Sequence, residues 1–269
     1  MLRSSCSFPR STPTIRRAQS GQNRPVARIL GVFAHPDDES FSFAGTAMKL
    51  LERGHEAGLV TLTRGDKGRW YGKRPLYSWD SRALARERAK EWRGAVATIG
   101  LGRAWLLRWP DQGVSGAPVD RITMQLTRIY REFRPDAVIT FGPEGAGSEH
   151  DDHAGTSRHA TRAFRWAADP SIRTPGHRSH HSRWLLYTTA PEAGRVMRGR
   201  RPAGYLTPTH AVDVSPYLAR KAAVFEQHRT QFKDRPFFQW LLRARGGKEY
   251  FHLAIDTQRP PARELTFLR

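Results

Sequence analysis

The chain has 269 residues, 38% of them hydrophobic, and 45 Lys and Arg against 25 Asp and Glu, a formal charge of +20 at pH 7. That supplies one large core or two small ones, while no stretch stays apolar over the ~20 residues a bilayer-spanning helix requires, which argues against an integral membrane protein. A single cysteine, Cys6, excludes an intrachain disulfide and a thiolate zinc site, and it fits a cytoplasmic, reducing setting.

The basic residues are spread along the chain. Their field attracts anions of any kind: a carboxylate-bearing small substrate, acidic lipid or nucleic acid. The plainest reading is arginine on solvated faces, with an anionic small substrate next and nucleic acid or a membrane surface last.

Residues 1–25 carry five arginines, Ser, Thr and Pro but no acid, and are expected to be a flexible basic tail that cannot pack a core. The composition overlaps that of a transit peptide, and an over-annotated start fits equally well. Residues 26–269 are expected to form one α/β domain. Arg28 to Ala34 is short, apolar and β-branched, a strand buried on both faces of a parallel sheet, and Pro36 ends it near His35. A helix follows, with Ser40 as its cap, an apolar face from Phe43 to Leu51 and a stop at Gly54. His35, Asp37, Asp38 and Glu39 thus fall on a strand-to-helix loop at the carboxyl edge of the sheet, where ligands bind in open α/β folds.

Ala57 to Thr63 reads as the second strand. The long loop after it, from Arg64 to Ser81, carries Trp70, Tyr71, Tyr77 and Trp79, and suits either a substrate wall or a surface loop packed by its own aromatics. Arg64, at the strand's carboxyl end, can grip a substrate oxygen or carboxylate in two-pronged fashion. Ser81 to Ile99 is a helix capped by Ser81 and stopped by Gly100, with Arg82, Arg86, Glu87 and Glu91 spaced for exposed ion pairs. A third strand at Ala104 to Leu107 leads to Asp111, and Val119 to Phe133 is the next helix.

Pro135 to Phe141 is a further strand, followed by a glycine-rich loop and the run Glu149-His150-Asp151-Asp152-His153. A helix to about Ala167 begins there, so His150 and His153, one turn apart, can face the same space. A His and a carboxylate from the first loop with a His from this one make a standard ligand set for catalytic zinc, leaving a position for water. His177, His180 and His181 have no acid among them and read as solvated loop residues. Trp184 to Thr188 is a fifth strand, and Arg195 to Arg201 is the most basic patch, either solvated or touching an anion. Pro216 to about Lys233 reads as one helix with Lys221, Phe225, His228 and Phe232 on a shared face. Phe237, Phe238, Trp240, Leu241 and Leu242 are expected to close over the core.

The sequence A-H-P-D-D-E at 34–39 with H-x-D-H at 150–153 resembles the LmbE-like, or PIG-L, family of metal-dependent N-deacetylases that act on N-acetylglucosaminyl compounds. The likeness runs from Arg28 to His159, includes Thr61 to Gly68, and resumes from Val212 to Gln231 in a K-x-x-A…H-x-x-Q pattern. It implies a Rossmann-like three-layer α/β fold with a mostly parallel sheet, in a bacterial hydrolase. It further implies that His35, Asp38 and His153 bind Zn²⁺, with Fe²⁺ or Mn²⁺ as alternatives. Asp37 would then act as general base, His150 would hold the oxyanion and donate to the leaving amine, and Asp152 would orient His150 and raise its pKa. Glu39 would anchor the loop, Arg64 would lie on the substrate side, and His228 would lie either behind the ligating residues or on the substrate side. Asp151 stands where a proline is common in the family, and Ser148 where some relatives carry a tyrosine. The implied substrate is a small, anionic N-acetylated sugar, for example the GlcNAc-malate of bacillithiol synthesis or its mycothiol counterpart. An amidase for another secondary metabolite and a nucleic-acid-binding protein remain the alternatives, and a homo-oligomer is compatible with all three.

Overall fold

The computed structural model describes residues 26–73, 80–146, 148, 150–189, 191, 204–258 and 265–268. The basic tail with Cys6, Tyr77 and Trp79 of the long loop, Glu149 and the patch from Arg195 to Arg201 lie outside the described residues. Seven strands form one sheet: β1 (Arg28–Phe33), β2 (Glu56–Thr63), β3 (Arg103–Trp109), β4 (Ala137–Phe141), β5 (Trp184–Thr188), β6 (His210–Asp213) and β7 (Lys248–Asp256), in the order β3-β2-β1-β4-β5-β7-β6. The first five run parallel, and β7 is antiparallel to both β5 and β6.

The helices are α1 (Asp38–Ser42), α2 (Ala44–Glu52), α3 (Ser81–Ile99), α4 (Val119–Phe133), α5 (Asp151–Ala168), α6 (Leu218–Phe225) and α7 (Arg235–Ala244). Alternation along β1 divides the core: Ile29 and Phe33 join Met48, Trp92 and Val224 on one face, while Leu30 and Val32 join Leu126, Tyr130 and Phe164 on the other. The result is the expected three layers, with α2, α3 and α6 on one side and α4 and α5 on the other. No helix among the described residues is long and apolar enough to cross a membrane.

Four local expectations differ. Ser40 lies inside α1 rather than capping a longer helix, because Phe43 (φ −140°, ψ −35°) interrupts the run and turns its ring under β1. Gly31 makes that possible, since a Cβ there would stand 2.9 Å from the Phe43 ring. The N-cap of α3 is Asp80, whose carboxylate accepts the Arg82 N–H at 2.8 Å, rather than Ser81. The helix expected from Pro216 to Lys233 breaks at His228 (φ −86°, ψ 58°) and continues as a 3-10 segment, Arg229–Asp234. Strands β6 and β7 had no expectation. His180 is half-buried and hydrogen-bonded to the Pro135 carbonyl at 2.8 Å, so it is a packed residue and not a solvated one.

β1 feeds β2 on one side and pairs with β4 on the other, so the strand order reverses between β1 and β4. Loops leaving the carboxyl ends of two such strands diverge and open a crevice, the usual ligand position in this architecture.

Candidate active site

Both histidine-bearing loops open into that crevice. Directly after β1, the Asp38 carboxylate accepts the backbone N–H of His35 at 2.7 Å, folding the loop back on itself. The same carboxylate stands 3.5 Å from His35 Nδ1 and 3.2 Å from His153 Nε2, joining the first loop to α5. His150 is the N-cap of α5, its Nδ1 accepting the Asp152 N–H at 3.3 Å. Gly155 lets α5 approach the segment after β3, since a Cβ there would lie 2.7 Å from Ser115 Cα. That approach lets Asp152 accept the backbone N–H groups of Gln112 at 2.7 Å and Val114 at 2.9 Å.

His35 Nε2 faces two carboxylates, Asp111 at 3.1 Å and Asp152 at 3.4 Å. Burial opposes a charge on His35, but Asp111, Asp152 and Asp38 together raise its pKa well above the usual imidazole value. Burial likewise opposes the charge of Asp38, yet the neighbouring His153 and His35 hold its carboxyl well below the ordinary range. Asp37 is pushed up to about 6 by burial, against the pull of Arg88 and with repulsion from Asp38 adding to the rise. His150 is lowered by burial and by the positive potential of His35 and His153, which outweigh Asp152.

His35, Asp37, Asp38, His150 and His153 line a cavity of about 210 Å³, joined by Arg88, Asp111 and Phe41. The residues expected to share a metal are therefore brought together. Asp152 reaches the cluster but faces His35 and not the His150 ring, so the expected rise in His150 pKa does not occur. Arg64 is half-buried after β2, its Nε without a hydrogen-bond partner, and it is not among the residues lining the cavity. His228 is fully buried behind the loop, with Nε2 at 2.6 Å from Glu39 Oε1, so it touches the loop's anchor and not a substrate. Glu39 in turn accepts the Asp37 N–H at 3.1 Å, the anchoring expected of it.

Several residues at the site were not expected there. Arg88, 3% exposed on α3, lies 3.2 Å from the Asp37 carboxylate and also donates to the Gly65 and Pro36 carbonyls. Its spacing placed it among charged helix residues and nothing marked it as buried. Ser148 Oγ is 2.6 Å from His153 Nδ1, which fixes that ring from behind. Glu91, expected in an exposed pair, is buried and accepts from the Thr230 N–H and hydroxyl at 2.8 and 2.6 Å. Asp111 had only its place after β3 as a signal.

The donor set fits a divalent ion. Nitrogen atoms of His35, His150 and His153 lie within 4.8 Å of one another, as do donor atoms of His35, Asp111 and Asp152, and the Asp38 carboxylate sits between two of the imidazoles. Imidazole and carboxylate without thiolate is the donor chemistry of catalytic zinc and of other divalent first-row ions.

The profile of the PIG-L family, described as GlcNAc-PI de-N-acetylase, matches residues 30–164. A protein of Thermomonospora curvata named 1D-myo-inositol 2-acetamido-2-deoxy-alpha-D-glucopyranoside deacetylase is 32% identical over 279 residues, covering 87% of this chain and 92% of that one. The N,N'-diacetylchitobiose deacetylase from Pyrococcus horikoshii superposes with a TM-score of 0.69 at 22% identity, over 84% of this chain and 83% of that one. A conserved protein from Thermus thermophilus superposes with a TM-score of 0.67 at 24% identity, over 86% of this chain and 96% of that one. The chain belongs to the PIG-L, or LmbE-like, family of deacetylases, hydrolases of N-acetyl amide bonds.

Proposed function

We propose that this protein removes the acetyl group from a small N-acetylglucosaminyl substrate, with His35, Asp38 and His153 holding a Zn²⁺ ion, or Fe²⁺ or Mn²⁺ in its place. The observation that carries the reading is the Asp38 carboxylate lying between the imidazoles of His35 and His153, with Asp37 adjacent in sequence and facing the same cavity. When bound, the ion supplies Lewis acidity, polarising the acetamide carbonyl and acidifying water.

Asp37 takes the proton of the attacking water. Held by Arg88 and raised by burial, its carboxyl has a pKa close enough to neutrality to accept that proton and return it to the departing amine nitrogen. Because His150 Nδ1 accepts a backbone N–H, its proton sits on Nε2, and the neutral ring can donate a hydrogen bond to the developing oxyanion. Ser148 and Asp111 fix the His153 and His35 rings from the sides away from Asp38. Water and amide thus become acetic acid and amine with one proton carried from oxygen to nitrogen, and the acid then loses its own proton to solvent to leave acetate.

The names of the sequence relatives make the inositol glycoside of GlcNAc the first substrate to test, and the +20 charge makes the malate glycoside the second. Acetate release should be measured for both and for N,N'-diacetylchitobiose. Release that disappears with chelator, returns with added Zn²⁺ and is abolished in Asp37→Ala supports the reading. Release that survives either treatment, or none from any of the three by metal-loaded protein, overturns it.

A further inference from the structure

Helices α4 and α5 lie side by side over one face of the sheet and run in the same direction. The Thr123 hydroxyl meets His159 Nδ1 at 3.4 Å, and further along both helices Arg131 donates to the Trp166 and Ala167 carbonyls at 3.0 and 3.1 Å. With their apolar sides spent on the core, both turn arginine outward: Arg121 and Arg128 on α4, and Arg158, Arg162 and Arg165 on α5, all exposed. Each row spans about 10 Å of helix, and packed helices lie about 8–10 Å apart, so the guanidinium groups share one broad, nearly flat face. Arg121, Arg128, Arg162 and Arg165 make no ion pair among the described residues, and Arg158 donates to a neutral carbonyl, that of Ser115, at 2.7 Å. The acids of the two helices lie at their ends: Asp120, Asp151 and the buried Asp152 in the first turns, and Glu132 in the last turn of α4, where Arg103 pairs with it. Arginine content alone does not produce such a face. On α3, in the opposite layer, Arg86 and Lys90 have Asp80 and Glu87 as partners at 3.9 and 3.1 Å.

We propose that the outer face of α4 and α5 is a docking surface for an anionic phospholipid bilayer, held through the headgroup phosphates. A guanidinium group can donate to two phosphate oxygens at once, and a flat array of such groups matches a flat array of phosphates. Nucleic acid is the poorer match. Two adjacent helices, each about 10 Å across, are together too wide for the ~12 Å major groove of a duplex. The exposed large apolar side chains among the described residues, Val26, Tyr71 and Phe237, all belong to other elements, so the face offers no ring to stack on single-stranded bases. For the same reason nothing inserts between lipids, and the contact is electrostatic. α5 begins beside His150 and His153, which places the catalytic cavity at one end of the face and not beneath it. A docked molecule therefore keeps its cavity open to a soluble substrate.

The test is co-sedimentation of the full chain with vesicles of phosphatidylglycerol mixed with phosphatidylcholine, and of phosphatidylcholine alone. The unmodified protein should bind only the anionic vesicles, and should be released as salt rises from about 0.1 M to about 1 M, where the screening length falls from ~10 Å to ~3 Å. Arg128→Gln/Arg162→Gln/Arg165→Gln changes exposed positions to a residue of similar helix propensity. It should weaken binding by about 20- to 100-fold, up to about fivefold per arginine. Arg82→Gln/Arg86→Gln/Arg93→Gln removes the same charge from α3 on the far side of the sheet, and should weaken binding by less than about threefold, because the attraction fades within a screening length. No binding to the anionic vesicles would overturn the proposal. So would equal losses in the two triple variants, which would make net charge the whole cause. A mixed-sequence DNA duplex, titrated in the same buffer, should bind more weakly than the vesicles; tighter binding, lost in the α4–α5 variant, would assign the face to nucleic acid instead.

Discussion

Asp37 holds its backbone at φ 110° and ψ −29°, a region that non-glycine residues seldom enter. Two neighbours hold it there: Glu39 accepts its N–H, and Arg88 pins its carboxylate. Strain and chemistry can be separated at this one position. Asp37→Ala removes the carboxylate and keeps the Cβ, whereas Asp37→Gly removes both. Each should lower kcat by about 10²–10⁴-fold, the usual contribution of a general base, with little change in bound metal. In thermal melts, however, the glycine variant should be the more stable of the two, because glycine enters this region without strain. Arg88 bears on the same carboxylate through charge. Burial raises the Asp37 pKa and Arg88 lowers it, so activity should rise with pH through an acidic limb and Arg88→Met should move that limb to higher pH. Arg88→Lys, which keeps a charge, should leave the limb nearer its original place; a pH–rate profile of kcat/KM unmoved by Arg88→Met would remove Arg88 from this role.

Among the elements, α2 shows why a buried ion pair cannot be judged by charge alone. Lys221 on α6 meets Glu249 on β7, both fully enclosed, and Glu249 also accepts the N–H groups of Gly45 at 3.1 Å and Thr46 at 2.8 Å in the first turn of α2. Removing one partner leaves a buried charge, so Lys221→Met should cost about 3–5 kcal/mol in urea unfolding. A simple buried pair can often be replaced by two apolar residues at no loss. Here Lys221→Met/Glu249→Met should stay destabilised by about 1–3 kcal/mol, because two helix N–H groups lose their acceptor. A double variant as stable as the parent would show that the cap contributes nothing. The same contacts explain what could and could not be read in advance. Helices α3 and α4 were legible because a full apolar stripe and a glycine or proline stop are local signals, and β1 and β4 because their apolar runs end at punctuating residues. The break at His228 was not, because no local residue demands it: the ring is drawn out of helical register to meet Glu39 almost two hundred positions away in the chain. The cluster itself was legible as two loops rich in His and Asp. The guanidinium behind it was not, since Arg88 differs from its exposed neighbours on α3 only in what folds over it.

At the scale of the whole molecule, the surplus of arginine reaches into the core. On α5, Arg158, Arg162 and Arg165 are exposed on one flank and no acid occurs from His153 to Ala168, while His159 faces inward and is fully buried. His159 donates from Nε2 to the Val114 carbonyl at 3.1 Å, and its Nδ1 meets the Thr123 hydroxyl at 3.4 Å, so the neutral ring is satisfied and a second proton is unwelcome. Burial lowers its pKa first, and the Arg158 and Arg162 charges lower it further. A histidine whose folded pKa is depressed contributes stability above its unfolded value of about 6.5, and that contribution is lost as pH falls through the folded value. His228 works in the opposite sense. Burial opposes its charge, but Glu39 and Asp37 raise its pKa, so its contribution is complete below about 6.5 and is lost as pH rises through the raised value. The pH dependence of the whole protein is the sum of such opposed terms, and a single variant separates them. His159→Gln keeps a side chain able to hydrogen-bond but cannot be protonated, so the stability of the parent relative to this variant should fall as urea unfolding is moved from about pH 7.5 to about pH 5, the span over which an imidazole titrates. Added salt screens the exposed arginines and not the burial, and so should make that relative fall shallower without abolishing it. Parallel curves for parent and variant across this range would show that His159 takes up its proton equally in the folded and the unfolded chain, and that neither its burial nor the neighbouring arginines shift it.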